Sequence, residues 1–124
     1  MSINLDNLDE EIRKKIMNLQ NLQRSLEVIT QQKIQLESTL RETELAIEEL
    51  EKAEADTTVY KSIGGILIKS EKDKLLDEKK SRKVTLEMRI KTLGQKEERT
   101  RGSLQKLQQS IQAELQAGGG VPGA

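Results

Sequence analysis

Few residues in this 124-residue chain could do chemistry. It contains no histidine and no cysteine, so it lacks the commonest general base, the strongest side-chain nucleophile and the soft metal ligands. Ser103-Leu104-Gln105-Lys106 has the spacing of a serine–lysine hydrolase tetrad, in which the lysine would activate the serine hydroxyl. It falls on an exposed helical segment with no companion motif, so the match is one of spacing only. Glu48-Glu49 and Glu97-Glu98 could share acid–base work only across a cleft; side by side on a helix they are solvated surface. Gly64-Gly65 is followed by a strand pattern, not by a helix opening with Lys and Ser or Thr, and so is no phosphate loop. The expectation is a protein that is not an enzyme and uses no cofactor and no metal.

The elements around these positions point to assembly instead. Thr57 to Ser70 reads TTVYKSIGGILIKS and differs in chemistry from the charged segments on either side. Val59, Tyr60, Ile63, Ile66, Leu67 and Ile68 have the branched, aromatic and aliphatic side chains that suit a pleated surface. Gly64 and Gly65 between the two runs supply the positive φ of a tight turn. The stretch is read as a β-hairpin. With a two-residue turn, Val59, Ile63, Ile66 and Ile68 share one face, and Tyr60 and Leu67 the other. Two strands alone are marginal in water, and both faces and both edges call for partners. Those partners are expected from other chains; the alternative is a hydrophobic loop laid on its own helices.

The flanking segments are long helices. From Asn7, which has capping-box spacing to Glu10, to about Ala55 there is no proline and no glycine. Leu5, Ile12, Leu19, Leu26, Lys33, Leu40 and Ile47 fall at heptad position a. Leu8, Lys15, Leu22, Ile29, Leu36, Thr43 and Leu50 fall at d. Eleven of these fourteen are aliphatic, the pattern of a coiled-coil seam. Ser70 and Asp73 repeat the cap spacing and restart a helix. There Leu76, Lys83, Ile90, Glu97, Leu104 and Ile111 fall at a, with Lys79, Leu86, Leu93, Thr100, Leu107 and Glu114 at d. This seam is weaker, and Gly94 and Gly102 soften it by roughly 1 kcal/mol each relative to alanine.

The fold class predicted is all-α dominated: a long antiparallel two-helix coiled coil with one β-hairpin at the bend. It forms one domain, with helices over about 7–55 and 71–117, the hairpin over 57–70 and a flexible tail over 118–124. Pairing Leu50 with Leu76 and counting outward sets Leu40 against Leu86, Leu36 against Ile90 and Leu19 against Leu107. Every layer then joins an a to a d. Lys33 and Glu97 fall in adjacent layers and Thr43 faces Lys83; such polar seam positions fix register rather than carry chemistry.

Composition agrees. One aromatic residue and 34% charged residues do not build a compact core, but they suit helices burying a narrow stripe. No apolar run approaches a membrane span, and the N-terminus lacks the features of a signal peptide. A cytoplasmic protein without membrane contact is expected. Residues 1–60 carry 7 basic and 13 acidic side chains, and residues 61–124 carry 14 and 8, an asymmetry that favours pairing within the chain. Nucleic-acid binding by the basic half is set aside, because its charges are interleaved and no stacking aromatics accompany them.

Val59-Tyr60-Lys61, Ile63-Gly64 and Leu67-Ile68-Lys69 between two helices of equal reach, with Gln31-Gln32-Lys33 in the first helix, resemble a β-class subunit of the prefoldin family. The single hairpin separates it from the α-class, which has two. The resemblance implies an ATP-independent co-chaperone, in a hexamer of two α-class and four β-class subunits. The hairpins (Val59, Tyr60, Ile63, Gly64, Gly65, Ile66, Leu67 and Ile68) would form the oligomerisation platform. The coiled-coil tips would hold unfolded clients for a group II chaperonin. On the residues themselves, Leu5, Leu8, Ile12, Ile16, Ile111 and Leu115 are the seam positions expected to splay as the helix ends fray, and are the candidate client-binding tips. A passive coiled-coil scaffold is the alternative.

Overall fold

A computed structural model describes residues 9–117. The element order is helix, strand, strand, helix: α1 (Glu10–Lys52), β1 (Val59–Ile63), β2 (Ile66–Ser70) and α2 (Lys72–Gln116). Asp9 caps α1: its Oδ1 accepts the Glu11 N–H at 3.0 Å, and its carbonyl accepts the Arg13 N–H at 2.9 Å. An aspartate here satisfies an orphan donor and complements the helix dipole. Asn7, the expected cap, lies outside the described residues, as do Leu5, Leu8 and the 118–124 tail. At α2 the Glu71 carbonyl accepts the Leu75 N–H, which puts Glu71 in the cap position and leaves Ser70 as the last strand residue. The cap is one residue later than its spacing predicts, because Ser70 is held by strand pairing with Val59.

The heptad assignment survives residue by residue. All twelve described a and d positions of α1, from Ile12 to Leu50, are buried or half-buried, as are all twelve of α2, from Leu76 to Glu114. Leu75 is a buried residue outside that register, and its apolar neighbour Leu76 keeps the seam position at partial exposure.

Two compact units are distinguished, each built from both helices. In the first (described residues 9–31 and 94–117), Ile12, Ile16 and Ile111 form a buried cluster, with Leu19, Leu107 and Leu115 packed against it. Lys15 reaches Ser110 and Glu114, and Thr30 reaches Glu97, so numbers fall along α2 as they rise along α1. The helices of this unit are antiparallel, and Leu19 and Leu107 pack against the same buried cluster. Glu97 is buried in the seam; the Thr30 hydroxyl donates to its Oε2 at 2.8 Å, and Arg101 lies 4.0 Å from its Oε1. In the second unit (residues 32–93), Thr43, Leu50, Leu75 and Leu86 are buried, and the sheet lies between the helices in sequence. Thr43 donates to the Thr39 carbonyl of its own helix at 2.8 Å, so its burial leaves no unmet hydroxyl. Among the described residues no buried side-chain nitrogen or oxygen lacks a partner.

Candidate functional site

The hairpin is a two-stranded antiparallel sheet with Val59 opposite Ser70, Tyr60 opposite Lys69, Lys61 opposite Ile68, Ser62 opposite Leu67 and Ile63 opposite Ile66. Opposed residues share a face, so Val59, Lys61, Ile63, Ile66 and Ile68 lie on one side and Tyr60, Ser62 and Leu67 on the other. Only a two-residue turn gives this register. Gly64 and Gly65 make it with φ of 55° and 82°, the doubly positive turn whose twist matches the strands it joins.

Local contacts hold the hairpin at its base and leave its far part open. The chain leaves α1 through a turn closed by the Thr57 N–H on the Glu54 carbonyl at 3.0 Å. Lys72, at the start of α2, donates from Nζ to the Ala53 carbonyl at 2.5 Å, covering one of the acceptors left at the end of α1. Lys61 on β1 pairs with Glu78 of α2 at 2.8 Å, and Lys80 lies 3.5 Å from Glu51. The Lys61 ammonium, by hydrogen bond and then by charge, holds the Glu78 carboxyl below the ordinary glutamate range. Val59 and Lys61 are half-buried, whereas Tyr60, Ile63, Ile66, Leu67 and Ile68 are all exposed. Ile66 and Leu67, beside the turn, are 67% and 69% exposed. The hairpin is therefore not a hydrophobic loop laid on its own helices.

The four described candidate tip residues are arranged otherwise. Ile12 is 1% exposed, Ile16 and Ile111 are buried, and Leu115 packs against them. The sequence expectation is of side chains splayed by fraying; the structure closes them on one another. The Lys15–Glu114 pair, which spacing alone does not reveal, links the two helices there, and Asp9 caps the start of α1. The Glu114 carboxylate, again by hydrogen bond first, raises the Lys15 ammonium above its ordinary value.

Ser103 and Lys106 are exposed on α2 and line an open groove with Asn18, Asn21, Leu22 and Ser25. Neither a carboxylate nor an enclosed cavity accompanies them there. Among the described residues no group of three His, Cys, Asp or Glu could hold a metal, and no helix is long and apolar enough to cross a membrane.

Two long helices joined by an exposed two-stranded hairpin define the class: a helical protein with a single small antiparallel sheet between its helices. The chain matches the family described as "Prefoldin subunit" over residues 13–118. It is 40% identical over 105 residues to a prefoldin subunit beta of Archaeoglobus fulgidus, covering 85% of this chain and 90% of the relative. It is 32% identical over 111 residues to that of Pyrococcus furiosus, covering 90% and 95%. The crystal structure of the prefoldin beta subunit from Thermococcus strain KS-1 superposes with a TM-score of 0.79 at 31% identity, over 88% of this chain and 96% of that one. This chain belongs to the prefoldin family, as a chaperone subunit of the beta type.

Proposed function

We propose that the chain is a subunit of an ATP-independent co-chaperone that holds non-native proteins at its coiled-coil tips and delivers them to a group II chaperonin. It works in the cytoplasm as one of four β-class subunits, in a hexamer with two of the α-class. The observation that carries this reading is the hairpin, on which five hydrophobic residues stay in water while the helical seams of the same chain are closed. Exposed apolar surface on this scale, with free strand edges, is stabilised by pairing with other chains. Fixing several subunits through their hairpins leaves the helical ends free. Several weak grips on one client then gain by effective concentration.

Deleting residues 1–10 and 115–124 from every β-class subunit of the reconstituted particle tests the holding step. The oligomer is expected to stay intact while suppression of aggregation of a denatured protein is reduced; unchanged suppression counts against tip binding. Closure of the Ile12–Ile16–Ile111 cluster favours one competing reading, a coiled-coil scaffold without client contact. That reading predicts no suppression by the untruncated particle either.

A further inference from the structure

At the end of the first unit that holds Ile12 and Ile111, the aliphatic seam is interrupted at two neighbouring layers. By the antiparallel count, Lys15 at d faces Ile111 at a, and Glu114 at d faces Ile12 at a. Each layer thus joins one isoleucine to one charge. The two charges meet across the layers: Lys15 Nζ donates to Glu114 Oε1 and, at 3.0 Å, to Ser110 Oγ. Glu11 stands a helical turn before Lys15, with its Oε1 at 3.9 Å. The Lys15 and Glu114 side chains are 23% and 32% exposed, so the pair is partly withdrawn from water. On the aliphatic side, Ile16 and Leu115 stand four residues after Ile12 and Ile111 and widen the buried cluster. Aliphatic contacts therefore close one part of the cluster, and an ion pair closes another.

We propose that the Lys15–Glu114 pair, supported by Ser110, is a latch that sets how often the Ile12–Ile16–Ile111 cluster opens, and so governs access of apolar segments of non-native proteins to it. The proposal rests on the client-holding reading above. Its physical basis is the asymmetry between ionic and apolar closure. When the helices part, the lysine and the carboxylate regain water, which offsets much of the lost pairing. The isoleucines regain nothing from water, but an apolar client segment restores their burial. An all-aliphatic seam would stay closed, and one with like charges would stay open. A matched pair that water can replace lets closure be exchanged for client contact.

The test uses the particle reconstituted with its partner subunits and four versions of this chain: wild type, Lys15→Glu, the swap Lys15→Glu/Glu114→Lys, and the apolar pair Lys15→Leu/Glu114→Leu. Amide exchange over residues 10–19 and 107–116 reads the latch directly. Suppression of aggregation of thermally denatured citrate synthase reads its use. Lys15→Glu sets three carboxylates together and is expected to speed exchange about 5- to 30-fold, the range for losing a pair and gaining repulsion. The swap restores most of the protection, and the apolar pair exchanges more slowly than wild type and suppresses aggregation less. Exchange in Lys15→Glu within twofold of wild type, or a swap that restores nothing, overturns the latch. Exchange in the expected order with equal suppression by all four proteins overturns its control of access. A wild-type particle that suppresses no aggregation defeats the client-holding reading instead, whatever the exchange shows.

Discussion

Isoleucine dominates two regions of this chain with opposite results. In the hairpin, Ile63, Ile66 and Ile68 stay in water, while in the first helical unit Ile12, Ile16 and Ile111 are buried. The difference comes from what surrounds each set. A helix pair offers each seam side chain a facing stripe in the same chain, so the seam closes without help. A two-stranded sheet has two faces and two edges, and its base contacts satisfy one end only. The chain covers the helical set by itself and leaves the hairpin set in water.

The sharpest way to break this contrast is to place charge on the exposed set. Ile66→Asp with Ile68→Asp should abolish assembly, seen as elution at a lower mass, with helical content unchanged. Elution as the full particle would show that the hairpin is not the joint. The buried set should respond in the reverse sense. Ile12→Ala removes a fully buried side chain and should lower stability by about 2–4 kcal/mol, with faster amide exchange around Ile111. Ile66→Ala in the isolated subunit should leave its unfolding midpoint nearly unchanged.

A smaller effect is expected at the turn. A Cβ at Gly64 would meet open space, so the cost of Gly64→Val comes from its φ of 55° alone, roughly 1–2 kcal/mol. Gly64→Asn should be better tolerated than valine, since asparagine adopts this conformation more readily. Thermal melts of the assembled particle would rank the two.

The smallest is a pH dependence at the base of the hairpin. Glu78 is held below the ordinary glutamate value of 4.5 by Lys61. The contribution of the pair is therefore present above that value and is lost as pH falls through the lowered one. Amide exchange of β1 should rise over that acidic window, and Lys61→Met should remove the dependence. An equal acid response in both proteins would assign it elsewhere.

Much of the fold was legible in the chain itself. The seam could be read because burial along a helix follows 3.5-residue spacing, so the described a and d positions of both helices could be set in the seam by counting alone. The hairpin could be read because paired glycines between branched residues fit a doubly positive turn and little else. The helix starts were less legible. Spacing pointed to Ser70 as the cap of α2, and strand pairing with Val59 moved the cap to Glu71. The state of the tip was not legible. Fraying is the generic expectation at a helix end, and the link from Lys15 to Glu114 spans 99 positions in sequence.

Sequence by itself determined the two seams, the turn between the strands and the faces on which the hairpin residues stand. These follow from spacings of two to seven residues, set by backbone geometry. Tertiary structure alone decided which of the apolar residues stay covered. Coverage depends on the partner across the gap: Ile12 meets Ile16 and Ile111 within the chain, whereas Ile66 and Leu67 remain in water.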